Sequence, residues 1–186
     1  MALKIEKKFQ VSEPIDKVWA MLSDPRKVAT CVPGAQITGQ IDDKTYQGAV
    51  SVKVGPSVTD YKGEVQIVRL DPQEHAIEIL GKGQDVRGRG SASMKMTGQL
   101  RALPDGGTQV ESVSEVNIVG ILAQMGSRVI TEVSNIMFDQ FTKNFRARLE
   151  QPADAAEAQR TATEAKPINA TSLAWEAAKG IFRGHS

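Results

Sequence analysis

Cysteine is nearly absent from this chain: Cys31 is the only one in 186 residues. A lone cysteine excludes an internal disulfide. With only two histidines, His75 and His185, a Cys/His zinc site has too few ligands. An excess of charge of one sign is missing too. The 23 Lys and Arg against 22 Asp and Glu leave a net charge of +1, so no global field draws the protein toward nucleic acid. Aromatic residues are scarce at 5%, and no basic face carries interleaved aromatics, so nucleic acid is not an expected partner. No apolar run reaches the roughly 18 residues of a membrane-spanning helix. The opening "MALKIEKKFQ" has no apolar core of a secretory leader, and a reducing cytoplasm is the expected compartment.

What is present is an ordinary globular balance, 40% hydrophobic and 24% charged. "LKIEKKFQV" (3–11) alternates and reads as a strand with one apolar face. "SEPIDKVWAMLSD" follows, with Ser12 as expected N-cap, Pro14 in the first turn, and Ile15, Val18, Trp19 and Leu22 at helical spacing. "DPRKVATC" reads as a second short helix capped by Asp24 and stopped by "VPG". From Ala35 to Val119 the chain alternates in long runs broken by turns such as "DDK" and "PDGG", which predicts an antiparallel meander. The period then changes. From Gly120 to Glu150 there is no proline, and Leu122, Met125, Val129, Val133, Ile136 or Met137, Phe141 and Phe145 form one stripe of a long helix. The expected fold is α+β: a curved antiparallel sheet of about seven strands wrapped around a long C-terminal helix, with two short helices after the first strand.

The domain is expected over 1–150, followed by a flexible Ala-rich linker over 151–166 and an amphipathic tail helix over 167–186. In the tail, Trp175, Ile181 and Phe182 lie to one side, with Lys179 and Arg183 largely elsewhere. At about twelve residues it is too short to span a bilayer. Three roles fit it: an interfacial helix at the membrane, a helix docked in a partner's groove, or a segment folded back on its own domain.

Inward positions on the strands are slim: Gly48, Val50, Val52, Gly63, Ala92, Gly98, and on the last strand Ser112 and Ser114. Small side chains facing a single helix leave space, and that space is mostly apolar with a few hydroxyls. Met94, Met96, Met125 and Met137 add adaptable lining. The competing reading is that these residues are core filler and strand bends. Cys31 as a nucleophile needs a base within reach. His75 sits in a turn, and nothing in the sequence brings it to Cys31, so a buried thiol at a pocket rim is expected. "GKGQDVRGRG" matches no phosphate-binding motif, and Arg87 and Arg89 fall on a hairpin. Asp60, Glu64, Glu111 and Glu115 alternate onto the polar face and receive no chemistry.

Four segments together resemble the carbon monoxide dehydrogenase CoxG family, within the START-related helix-grip (SRPBCC) superfamily. They are "SDPRKVATCVPGA" (23–35), "GKGQDVRGRGSASMKM" (81–96), "GILAQMGSRVI" (120–130) and "FDQFTKNF" (138–145). The resemblance runs from residue 1 to about 150. It implies a hydrophobic pocket between sheet and long helix, and no catalytic machinery. It also implies association with a molybdenum-containing carbon monoxide dehydrogenase or related hydroxylase, tethering of that enzyme to the cytoplasmic membrane, and handling of a quinone. No covalent cofactor is expected; a bound quinone or lipid is.

The residues assigned to the pocket or its rim are Cys31, Val32 and Pro33 after the second helix, and Val50, Val52 and Tyr61 on the early strands. Met94, Met96, Ser112 and Ser114 join them from the later strands, and Leu122, Met125, Val129, Val133 and Met137 from the helix. Trp175, Lys179, Ile181, Phe182 and Arg183 are assigned to membrane or partner contact, making the protein peripheral on the inner face of the membrane. The alternative class is a hydrolase or cyclase using the same cavity.

Overall fold

A computed structural model describes residues 1–150. Strand β1 (Ala2–Val11) alternates exposed with half-buried positions and ends on buried Val11. The chain then turns into α1 (Ile15–Leu22) and α2 (Pro25–Ala29). Pro14, and not Ser12, occupies the N-cap of α1, in extended backbone and without a side-chain cap. Proline has no N–H to satisfy and its fixed φ suits a helix entry. The turn is held from elsewhere: the Thr108 hydroxyl donates to the Glu13 carbonyl at 2.8 Å. Asp24 does cap α2, its Oδ1 accepting the Arg26 N–H at 3.0 Å.

Six more strands follow: β2 (Ala35–Gln40), β3 (Thr45–Val54), β4 (Ser57–Asp71), β5 (Ala76–Asp85), β6 (Gly90–Ala102) and β7 (Thr108–Gly120). They form one antiparallel sheet in the order β1-β7-β6-β5-β4-β3-β2. The meander β2 to β7 ends beside β1, so α1 and α2 carry the chain from one edge of the sheet to the other. Register places Leu3, Val116, Met94 and Gly81 in one row across it. The same face carries Leu100, Val110 and Ile118, all buried.

The apolar stripe after β7 is two helices, not one: α3 (Ile121–Gln124) and α4 (Ser127–Glu150). Gly126, at φ +86°, separates them. A left-handed residue cannot continue a right-handed helix, and glycine adopts it at no steric cost. The stripe hides the break because Leu122, Met125 and Val129 stay in phase across it. Helix α4 then lies over the inner face of the sheet, reaching the packed clusters at both of its ends. No helix among the described residues is long and apolar enough to cross a membrane.

Candidate functional site between the sheet and the long helix

The buried core forms two clusters with a stretch of half-buried residues between them. At one end the Phe9 ring stands edge-on to Phe138, Phe141 and Phe145, with centroids 5.8, 6.2 and 5.8 Å away. Phe141 stacks on Phe145. Val11, Val18, Met21, Cys31, Leu100, Val110 and Leu149 complete this aromatic end. At the other end Val54, Tyr61, Ile118, Leu122 and Ile130 are buried together. Val50, Val52, Met125, Val129 and Val133 pack against them but stay only half-buried.

Between the clusters lie Ile5, Val65, Ile79, Met94 and Met96 on the sheet and Met137 on α4. Each is in phase with buried neighbours, yet each is half-buried and belongs to neither cluster. Ser112 and Ser114 share that face and that exposure. Inward positions that remain accessible mark space that the side chains do not fill. The lining is apolar with two hydroxyls, the composition of a small-molecule site.

The inward glycines are constrained to different degrees. A Cβ on Gly63 would sit 1.9 Å from the Lys82 carbonyl oxygen, so glycine is required there by the close approach of β4 and β5. A Cβ on Gly81 would meet nothing nearer than Met94 Cε at 3.5 Å. At Gly81 an added methyl would make ordinary van der Waals contact with Met94 and the Glu64 carbonyl oxygen, so no clash demands the glycine.

Two polar devices border this region. Asp85, whose side chain is wholly buried, accepts from the Arg87 N–H at 2.7 Å and from Arg89 Nε and Nη2 at 3.3 and 3.1 Å. The Arg89 hydrogen bond holds the Asp85 carboxyl below its usual value of 3.8, against the opposing effect of burial. Asp85 pairs across the ladder with Tyr61. The Tyr61 phenol is raised above its usual 10.0, first by burial and then by the Asp85 charge, with Arg89 opposing. At the β1 edge, Lys7 is the one charged residue in the inward series of that strand. Its amine lies 5.1 Å from the Phe138 ring centre and donates to Asn135 on α4. Neither device stands out in the sequence as a motif. The available signal is phase: Asp85 alternates with Gly83 and Gly81, and Lys7 with Ile5 and Phe9.

Cys31 is not at a rim. It is fully enclosed at the aromatic end, and its carbonyl accepts from Asn144 Nδ2 of α4 at 3.0 Å. Its sulfur lies 3.9 Å from Thr30 Oγ1 and 3.7 Å from the Lys27 carbonyl. Burial is the largest influence on the thiol and raises its pKa above 9.0. His75 packs edge-on against Trp19, 5.5 Å between ring centres, and faces Asp16. Cys31 therefore has the environment of an inert core thiol. Val32 and Pro33 are half-buried, and the Gly34 carbonyl beyond them accepts from the Ser51 N–H at 3.0 Å. This turn is joined to α4 at Cys31 and to β3 at Gly34, through Asn144 and Ser51. Arg26 is tied to β2 and β3, with Nη2 donating to Gln40 Oε1 at 3.3 Å and the guanidinium over the Tyr46 ring.

A groove of about 870 Å³ crosses the sheet over the row Lys4, Glu115, Lys95, Leu80, Gln66, Thr45, with the neighbouring Leu3, Val116, Met94 and Gly81 also bordering it. Its other lining residues include Glu64, Lys82 and Asn117. These and the row are out of phase with Tyr61 and Met96 and belong to the opposite, outer face. No residue of α3 or α4 lines it. Lys82 pairs with Glu64 at 3.3 Å and Lys95 with Glu78 at 3.4 Å, so much of this charge is satisfied within the sheet. Among the described residues no group of three His, Cys, Asp or Glu side chains is arranged for a metal. The tail residues Trp175, Lys179, Ile181, Phe182 and Arg183 lie outside the described residues.

A sheet gripping one long helix is shared with solved structures. A conserved protein from Geobacillus kaustophilus superposes with a TM-score of 0.71 at 18% identity, covering 79% of this chain and 95% of that one. The Zhui aromatase/cyclase from Streptomyces sp. R1128 gives 0.60 at 14% identity, covering 81% and 94%. A START superfamily protein from Mycobacterium smegmatis gives 0.55 at 13%, covering 80% and 97%. At these identities the likeness is one of fold. The family model for the carbon monoxide dehydrogenase protein CoxG matches residues 8–150. This chain belongs to the carbon monoxide dehydrogenase CoxG family. No curated protein sequence matches it. The CoxG match spans the sheet from Lys8 onward and all four helices, so it takes in both core clusters and the seam between them.

Proposed function

We propose that this CoxG-family protein is a non-catalytic module that holds a hydrophobic small molecule, a lipid or a quinone, between its sheet and α4. In that role it helps couple a molybdenum-containing, carbon monoxide dehydrogenase-type oxidoreductase to the cytoplasmic membrane. The observation that carries the binding reading is the belt of half-buried Met94, Met96, Ile79 and Met137 between two packed clusters. Inward apolar residues that stay accessible side by side, with two hydroxyls among them, have the make-up of a small-molecule site. Pocket lining is accordingly proposed for Val32, Pro33, Val50, Val52, Tyr61, Met94, Met96, Ser112 and Ser114, with Leu122, Met125, Val129, Val133 and Met137 opposite. Membrane or partner contact is proposed for the tail, through Trp175, Lys179, Ile181, Phe182 and Arg183.

An enzymatic reading, hydrolase or cyclase, would need a nucleophile or acid–base pair facing the seam. Cys31, enclosed at the aromatic end, does not supply that nucleophile. Purified protein extracted into organic solvent and examined by mass spectrometry is expected to release a lipid or quinone. A protein that releases nothing and takes up no hydrophobic probe would end the binding reading. Deletion of residues 167–186 is expected to abolish pelleting with anionic liposomes or co-purification of the partner enzyme while the domain stays folded; unchanged association would remove the tail from the proposal.

A further inference from the structure

We propose that the Tyr61 hydroxyl is the polar anchor of the seam, donating a hydrogen bond to a neutral carbonyl on an otherwise apolar ligand. The inference rests on the binding reading above and adds the chemical class of the ligand and the residue that selects it.

Tyr61 is only 6% exposed, and its hydroxyl has no hydrogen-bond partner in the protein. It is the only buried side-chain N or O so placed among the described residues. An unpaired hydroxyl in an apolar setting is unfavourable, and phenylalanine would supply the same ring without that cost. The surroundings are those of the site. Tyr61 is buried with Val54, Ile118, Leu122 and Ile130, and the half-buried Val50, Val52, Val129 and Val133 pack on the same cluster. Its ring passes over Gly83, where an added Cβ would lie 3.8 Å from Tyr61 Cδ1, so the strand beneath presents no side chain to cover it.

The charge environment narrows the ligand. Asp85, the ladder partner of Tyr61, accepts from the Arg87 N–H and two Arg89 nitrogens, and the phenol makes no hydrogen bond to it. The phenol's raised pKa keeps it protonated and a donor at neutral pH. An anionic headgroup would be desolvated among apolar side chains where Arg89, already paired with Asp85, is not free to neutralise it, whereas a neutral carbonyl accepts the bond with no such penalty. Two sources supply a neutral carbonyl on an apolar body: a quinone ring and a neutral lipid ester.

The test uses the full chain and its Tyr61→Phe variant, titrated with menadione, methyl palmitate and naphthalene by calorimetry, with melting followed alongside. Menadione carries a ring carbonyl, methyl palmitate an ester carbonyl, and naphthalene none. Loss of one net hydrogen bond is expected to weaken the carbonyl ligands about fivefold to tenfold. Naphthalene affinity and the melting temperature are expected to be unchanged or higher. A loss confined to menadione assigns the site to quinones, and a loss confined to methyl palmitate assigns it to esters; either supports the anchor. Equal affinities in the two proteins overturn it. So does an equal loss for naphthalene, which would make Tyr61 a matter of shape, and so does a clear drop in melting temperature, which would mean the hydroxyl is satisfied within the fold. Those outcomes leave the binding reading intact. Wild-type protein that binds none of the three probes overturns both.

Discussion

The two ends of the sheet–α4 interface are built on different plans. One end collects four of the chain's five phenylalanines, Phe9, Phe138, Phe141 and Phe145, and encloses Val18 and Cys31 completely. The other rests on valines, isoleucines and one tyrosine, and shades into the half-buried methionines and serines of the seam. A chain with few aromatics has placed nearly all of its phenylalanine at one end. That end fixes the angle at which α4 leaves the sheet, since T-shaped contacts are directional as well as apolar. With the helix held there, its other half can stand off from the sheet without loss of the fold. Stability and ligand space are thereby divided along a single helix.

Truncation gives the largest expected difference between the ends. Phe145→Ala removes a wholly buried ring from the centre of the aromatic cluster and is expected to cost about 3–5 kcal/mol. Met96→Ala, at a half-buried position in the seam, is expected to cost about 1 kcal/mol. Urea unfolding of both variants measures the contrast. Equal costs would mean that the seam is packed core, and the division of labour would fail.

The second contrast lies within the open half. Gly63→Ala drives a Cβ into the β5 backbone, where neither the Lys82 carbonyl nor Gly83 Cα can step aside, and is expected to cost about 1–3 kcal/mol. Gly81→Ala reaches Met94 Cε and Cβ and the Glu64 carbonyl oxygen only at ordinary contact distances of 3.5–4.0 Å and is expected to leave stability within about 1 kcal/mol of wild type. It narrows the seam instead, so its effect belongs in ligand uptake. Should Gly81→Ala destabilise as much as Gly63→Ala, the space beside Met94 is not free.

The third tests the placement of Cys31. Cys31→Ser puts a hydroxyl into the aromatic end, beside a carbonyl at Lys27 that the thiol approaches only at 3.7 Å, and is expected to cost about 1–2 kcal/mol. Hydrophobic ligand binding is expected to be unaffected. Iodoacetamide is expected to label Cys31 far more slowly than a free thiol, because burial disfavours the thiolate. Fast labelling at neutral pH would reopen the nucleophile reading.

These contrasts also mark what the sequence could reveal. Alternation is a local property, so the strands and their inward faces were readable, Met94 and Met96 with Ser112 and Ser114 included. The order of elements sufficed for a helix-grip architecture because only one apolar stripe is long enough to cover the sheet. The position of Cys31 along that helix was not readable. It depends on the Asn144 hydrogen bond to the Cys31 carbonyl, a contact between residues 113 apart, and no local pattern encodes it. The break at Gly126 was missed for the opposite reason: the apolar phase survives it. The outer groove was not anticipated, since strand periodicity describes which face a residue takes and not how the sheet bends.

The smallest expected effect concerns the clamp that the open half has in place of aromatic packing. Asp85 is held below its usual 3.8 by Arg89, so its contribution to stability is present above that value and is lost as pH falls through the lower, folded pKa. Asp85→Asn keeps the shape and removes the charge. Its urea midpoint is expected to fall below wild type at neutral pH, and the gap to narrow progressively as pH falls from 3.8 through the lower, folded pKa and the wild-type carboxyl protonates. The melting of the aromatic end, followed through Trp19 in a background where Trp175 is replaced, is expected to shift less than ligand uptake at the other end. A gap that stays constant down to strong acid would mean that the Asp85–Arg89 pair is not what orders the turn. The open half would then owe its shape to the glycines and the strand register alone.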